Sequence, residues 1–222
     1  MDGNWSLKDA KNLDEADLAK IFKEAKRLGD LAYMVIVLAY NGALRVSELV
    51  HIRVSHFNWG TGKLTMIPLK KAGQKRKKMP DGTVVTVEKE LPPAIEYPLP
   101  GSVMAAAKEY IRKEGLGKDA WLFPGFTRPG GCHIVKLDCP GGHLSKRKMQ
   151  LVFDEIAVAA KVKMPGRGIH SLKHGRLTEV AQKTKDPYFV KEVGRHSSVA
   201  LSDHYVKYVN LKAKIEEIGG MM

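Results

Sequence analysis

The sequence predicts an α+β fold, mostly helical with a small antiparallel β-sheet. Three observations carry this. The first fifty residues repeat apolar side chains at helical spacing, residues 51–99 alternate in character between tight turns, and helical spacing returns from residue 102 onward. Helices, then a compact sheet, then helices again is not the strand–helix alternation of a parallel-sheet protein.

Residues 1–12 are polar and read as a loose start. In LDEADLAKIFKEAKRL the apolar residues Leu13, Leu18, Ile21, Phe22 and Ala25 recur with helical period, Asp14 is placed to cap the helix, and Asp17 follows three residues on. Leu31–Tyr40 is an apolar run that reads as a buried helix, too short to span a bilayer. Asn41-Gly42 stops it, and RVSELV opens a third, short helix. HIRVSHFNWGTGKLTMIPL is β-rich, with a turn at Asn58–Gly62. A cationic run follows, with Lys70, Lys71, Lys75, Arg76, Lys77 and Lys78 close together. TVVTVEKEL and AIEYPL are further strand candidates, separated by Pro92-Pro93. SVMAAAKEYIRKE forms a helix from Ser102 to Glu114, ended by Gly115. WLFPG is a short buried element, and the Gly- and Pro-rich residues 125–143 read as loop. A helix capped by Ser145 comes next, then HSLKHGRLTEVAQKT, then PYFVKEVG with Pro187 in its first turn. SVALSDHYVKYV carries Tyr205, and residues 211–222 form a C-terminal tail helix. There is no repeat and no clear linker, so residues 1–222 read as a single domain.

The formal charge is +13, with 37 Lys and Arg against 24 Asp and Glu. Such an excess suits a polyanionic partner, and double-stranded DNA is the first candidate, because each neutralised phosphate releases counterions. An anionic membrane fits less well, since no long basic amphipathic stretch is present. The plain alternative is a basic, well-solvated surface. Two cysteines in 222 residues argue against a disulfide framework. Met1 is followed by acidic and polar residues, unlike a secretory leader. The expected location is the cytoplasm, in association with DNA.

Three segments hold the candidate chemistry. Arg45 lies in GALRVSEL, where a surface pairing with Glu48 one turn on is the plain reading. His170, Lys173 and His174 fall on one face of a helix, with Arg176 just beyond. Their mutual repulsion is a cost that an anion would relieve, though a solvated basic face is the simpler account. His196 follows Gly194 and Arg195, and Tyr205 stands nine residues later. Packed aromatics would explain Tyr205 and Tyr208 equally well. A phenol titrates near 10, so a nucleophilic tyrosine needs a base and cations on the phosphate it attacks. Cys132, His133, Cys139 and His143 match no standard zinc spacing, and no metal or other cofactor is expected.

Taken in order, GALRVSEL, the basic-tipped hairpin, WLFP, HLSKRKMQ, IHSLKHGRLTEVA and GRHSSVALSDHY resemble the catalytic domain of tyrosine recombinases, also called phage integrases. The resemblance runs from Leu13 to Val209. It implies a site-specific recombinase that breaks and rejoins DNA through a 3′-phosphotyrosyl link, acting as a tetramer on two duplexes. It assigns Arg45 as the first catalytic arginine, His170 as acid/base histidine, His196 as the second histidine and Tyr205 as nucleophile. The hairpin lysine of the family corresponds to Lys71, or Lys70 beside it. Lys75, Arg76, Lys77, Lys78, Arg147, Arg176 and Arg195 are the expected DNA contacts.

Two features depart from the family pattern. Lys173 occupies a slot that is usually Arg, which keeps the charge but loses the two-pronged grip on phosphate. Residues 70–93 lengthen the hairpin. The separate helical core-binding domain usual in the family is also not expected. Lys173 is the feature that favours a different reading, a DNA-binding protein that has the fold but cleaves weakly or not at all. A type IB topoisomerase would use similar chemistry.

Overall fold

The computed structural model describes residues 13–66, 74–80, 83–88, 94–126 and 138–219. Two helices open this part of the chain, α1 (Glu15–Leu28) and α2 (Asp30–Asn41), followed by one helical turn, α3 (Val46–Leu49). Strands β1 (Phe57–Asn58), β2 (Lys63–Met66), β3 (Gln74–Lys78), β4 (Val84–Glu88) and β5 (Ile95–Pro98) precede α4 (Gly101–Glu114). Strands β6 (Pro124–Phe126) and β7 (Asp138–His143) lead to α5 (Lys146–Ala159), α6 (His170–Thr184), α7 (Pro187–Gly194) and α8 (Ala200–Gly219). The class is α+β, mostly helical, as the sequence pattern predicts. The chain forms two compact units: Met1–Arg45 with Met149–Met222, and Val46–Lys148.

The first unit is helical. Asp14 caps α1 by accepting from the Asp17 amide at 2.7 Å. Helix α2 is apolar on nearly all sides, so it is buried from Met34 to Ala39 and packs against both α1 and α6. Helix α5 contributes Met149, Val152, Phe153 and Ile156 to the core, and α6 contributes Leu172, Leu177 and Ala181. The entry to α6 is fixed from two sides. Arg167 pairs with Asp17 of α1 at 2.8 Å, and the Ile169 amide donates to the Gln150 side chain at 3.2 Å. That anchoring sets the rotation of the helix that carries His170, Lys173 and His174.

In the second unit, β1, β2 and β5 form an antiparallel sheet in that order, with Leu64 opposite Tyr97. Strands β3 and β4 form a separate two-stranded ribbon lying in sequence between β2 and β5. The added residues of the hairpin are therefore a ribbon of their own, consistent with the expected extra length. Gly115 ends α4 in the left-handed conformation (φ 59°), which a residue without Cβ adopts at low cost.

Two expectations need correction. Residues 124–126 and 138–143 pair as an antiparallel ribbon instead of remaining loop throughout, with an irregularity between Pro124 and Phe126. Gly and Pro hide such an arm, because a two-stranded ribbon leaves one backbone edge unpaired and tolerates Pro140 there. The tail from residue 211 is not a separate helix: α8 runs unbroken from Ala200 to Gly219, since no Gly or Pro interrupts it before its end.

Candidate active site

The site is assembled within the first unit from three places. Arg45 lies in the loop after α2, His170, Lys173 and His174 come from the first turns of α6, and His196 and Tyr205 flank the start of α8. Tyr205 is central. Its hydroxyl lies 2.6 Å from Nδ1 of His174, whose ring stacks near the phenol at 5.9 Å. The His196 ring stacks on the same phenol at 6.0 Å. His170, exposed, meets His174 edge to face at 4.6 Å.

Burial pushes the Tyr205 phenol up to about 12, a rise that the Arg45 charge partly opposes. The resting tyrosine is therefore protonated. His196 is held down to about 4, first by burial and then by the charges of Lys173, Arg45, His174 and Arg195. It is neutral at physiological pH, and its Nδ1 is 2.9 Å from the buried Ser202 hydroxyl. One imidazole thus registers four cationic or titratable neighbours, which places their charges around a common point.

Lys173 is only 2% exposed, and its ammonium donates to the Gly194 carbonyl at 2.7 Å. A slender stem ending in a compact charge fits such a slot, whereas a guanidinium needs more room. Gly194 is tight on its other side as well. A Cβ there would lie 2.8 Å from Nε2 of His196, so only glycine leaves room for that ring. Arg195 takes the left-handed conformation (φ 51°) and donates to the carbonyls of Gly42 at 2.9 Å and Ala43 at 2.7 Å. Ala43 is itself left-handed (φ 44°), two residues before Arg45. Non-glycine residues in that region store strain that surrounding contacts must hold in place. The α7–α8 turn therefore fastens the backbone that carries Arg45.

A model of the phage integrase family matches residues 11–210. The chain belongs to the phage integrase family. Its fold is that of solved tyrosine recombinases. XerA recombinase superposes with a TM-score of 0.62 at 14% identity, over 88% of this chain and 59% of that one. XerH recombinase bound to its palindromic difH substrate gives 0.64 at 18% identity, over 94% and 52%. The Tn1549 transposon integrase in complex with transposon right-end DNA gives 0.60 at 14% identity, over 94% and 66%. This chain thus spans about half to two-thirds of the length of those structures. A search of curated protein sequences finds no match.

The other predicted residues of this integrase distribute as follows. Lys70 and Lys71 lie outside the described residues. Lys75, Arg76, Lys77 and Lys78 stand on β3, paired with β4. Arg147 is exposed in the first turn of α5. Arg176 pairs with Glu179 and lies 5.8 Å above the Tyr40 ring. Cys132 and His133 lie outside the described residues. His143 packs against His51 at 4.4 Å and against Trp121 at 5.1 Å. Among the described residues, no group of three or more His, Cys, Asp or Glu could hold a metal, and no helix is long and apolar enough to cross a membrane. Sequence reasoning placed His174 on the right face of α6 but gave it no task. Its spacing from His170 was visible, while its contact with Tyr205 spans 31 residues and is set by packing.

Proposed function

We propose that this integrase breaks and rejoins double-stranded DNA at specific sites, with Tyr205 as nucleophile. The observation that carries this reading is the Tyr205 hydroxyl, hydrogen-bonded to the His174 imidazole, stacked by the neutral His196 ring and acted on by the Arg45 charge. The phenol oxygen attacks a backbone phosphorus as its proton passes to a base. The bond from phosphorus to the 5′-oxygen breaks, leaving a 3′-phosphotyrosyl link and a 5′-hydroxyl. Arg45, Lys173 and His196 face the non-bridging oxygens, whose charge grows in the transition state. His170 belongs to the same acid/base group, and Lys71 gives the leaving oxygen its proton. The bond energy stays in the covalent link, so rejoining needs no cofactor. Two duplexes held by four copies, associated with DNA in the cytoplasm, are the expected working assembly, with Lys75–Lys78, Arg147 and Arg195 as candidate backbone contacts.

The test uses nicked duplexes of randomised sequence, with covalent adducts recovered under denaturing conditions. The parent protein forms an adduct and Tyr205→Phe forms none, while both bind DNA with similar affinity. An adduct on the Phe variant would move the nucleophile elsewhere. Lys173 gives one specific reason for a second reading, DNA binding with little cleavage: its ammonium is buried against the Gly194 carbonyl. Salt-sensitive binding by a parent that never forms an adduct would favour it.

A further inference from the structure

We propose that His174 is the base that receives the Tyr205 proton, leaving the exposed His170 to face the phosphate. The inference rests on the cleavage reading above and assigns one of its steps to a particular atom. Three observations converge on it. Nδ1 of His174 lies 2.6 Å from the phenol oxygen, within the range of a strong O–H···N bond. The imidazole and phenol planes are nearly parallel, inclined by only 24°, with ring centroids 5.9 Å apart. His170 is exposed and contacts the His174 ring from its edge at 4.6 Å.

The chemistry balances without any added group. Neutral His174 accepts the phenol proton at Nδ1, the electron pair of the former O–H bond forms the oxygen–phosphorus bond, and the pair of the breaking phosphorus–oxygen bond leaves with the 5′-oxygen. Burial makes such a local base necessary, because a phenol held well above its ordinary pKa does not ionise in water at neutral pH. During rejoining the imidazolium returns the proton to the departing phenolate. The positive charge it carries meanwhile sits beside the cations that hold the phosphate, so a bound phosphate dianion-like transition state stabilises it.

Two measurements test this. The first needs no substrate. Nitrogen-15 NMR of the histidine rings is recorded on the DNA-free protein and on Tyr205→Phe. Above its titration, His174 should show an unprotonated, hydrogen-bonded Nδ1, and the Phe variant should shift that resonance. A protonated Nδ1 that donates to the phenol oxygen would overturn the proposal. The second is the single-turnover adduct rate from pH 6 to 9 on the adduct-forming nicked duplexes, also made with sulfur in place of the leaving 5′-oxygen. Glutamine in His174→Gln can accept the phenol's hydrogen bond but cannot hold its proton. Its rate should fall about 10²- to 10⁴-fold and climb steadily with pH, on the sulfur substrate as well, since sulfur removes only the need for a leaving-group acid. His170→Gln should keep the parental pH profile in shape. Parental rate and profile in a folded His174→Gln, with thermal unfolding unchanged, would overturn the proposal. The NMR arm locates the proton whether or not the chain cleaves. A parent that forms no adduct thus counts against the cleavage reading, and a protonated Nδ1 counts against this one.

Discussion

The N-terminal half of α6 gathers His170, Lys173 and His174 near His196 and Tyr205, whereas its C-terminal half gathers Arg176, Glu179 and Lys183 against Tyr40. In the second cluster one carboxylate takes every charge-assisted contact. Glu179 accepts from Tyr40 at 2.8 Å, Arg176 at 2.5 Å and Lys183 at 2.6 Å. Burial alone would raise this carboxyl, but the three donors hold it at about 2. In the first cluster the charges acting on His196 are those of Lys173, Arg45, His174 and Arg195, and they press its pKa down together with burial. Neighbouring cations thus keep a carboxylate charged in one half of the helix, and in the other they help burial keep an imidazole neutral.

If this contrast is correct, substitutions in the two halves of α6 should fail in different ways. The largest effect is expected at Lys173. In Lys173→Met the stem is kept and the charge removed. Losing one transition-state contact of about 2–4 kcal/mol should slow adduct formation roughly 30- to 1000-fold. The Gly194 carbonyl loses its buried donor, which should also lower stability by about 1–3 kcal/mol in a urea titration. A parental cleavage rate in a destabilised Lys173→Met would make this lysine a structural clasp and nothing more.

Gly194→Ala comes next. The new Cβ would meet the His196 ring at 2.8 Å, and that ring, half-buried and bonded to Ser202, would have to shift. Adduct formation should fall about tenfold with DNA affinity nearly unchanged, because a small misplacement of a positioned group costs that much. Unchanged cleavage would show that His196 tolerates displacement and does not touch the reacting phosphate.

His196 itself offers a pH test. Its folded pKa of about 4 lies below the ordinary histidine value, so between about 6.5 and 4 the unfolded chain binds a proton that the folded chain does not. Stability should therefore fall as pH drops through that window. His196→Gln should flatten the fall by about 1 kcal/mol, a figure already discounted for the half-exposed ring. An identical pH slope in the variant would place the acid sensitivity elsewhere.

Much of this was legible in the sequence. The order of helices and strands follows from periodicity and from Asp14, Gly115, Ser145 and Pro187 at element ends, all of which are local signals. The list of candidate site residues followed from the resemblance to the tyrosine recombinases. The division of labour within α6 was not legible. Lys173 and Arg176 are both cations on one helix, and only the folded chain shows that Lys173 is buried against the Gly194 carbonyl while Arg176 and its partner Glu179 meet Tyr40, 139 residues from Glu179. The same holds for Arg195, whose acceptors Gly42 and Ala43 lie 153 and 152 residues away. The β6–β7 ribbon escaped for a different reason: its residues carry no alternation, and the pairing is visible only once the chain has folded.

The smallest effect should come from Glu179→Gln, and it completes the contrast. Glutamine keeps the shape and one acceptor oxygen but gives up the charge that binds Arg176 and Lys183. Both pairs reach partly into solvent, so the expected loss is about 0.5–1 kcal/mol, read as a small fall in Tm. Because the folded carboxyl titrates near 2, below its ordinary value, its contribution is present above the ordinary carboxylate range and disappears as pH falls toward 2. Parent and variant should therefore differ at pH 7 and converge in acid. Arg176, released from its carboxylate, lies beyond the Tyr205 cluster, so adduct formation should stay at the parental rate. A Glu179→Gln variant that cleaves faster, with a steeper salt dependence of DNA binding, would show that Arg176 is a phosphate ligand restrained by Glu179, and the two halves of α6 would then be one site.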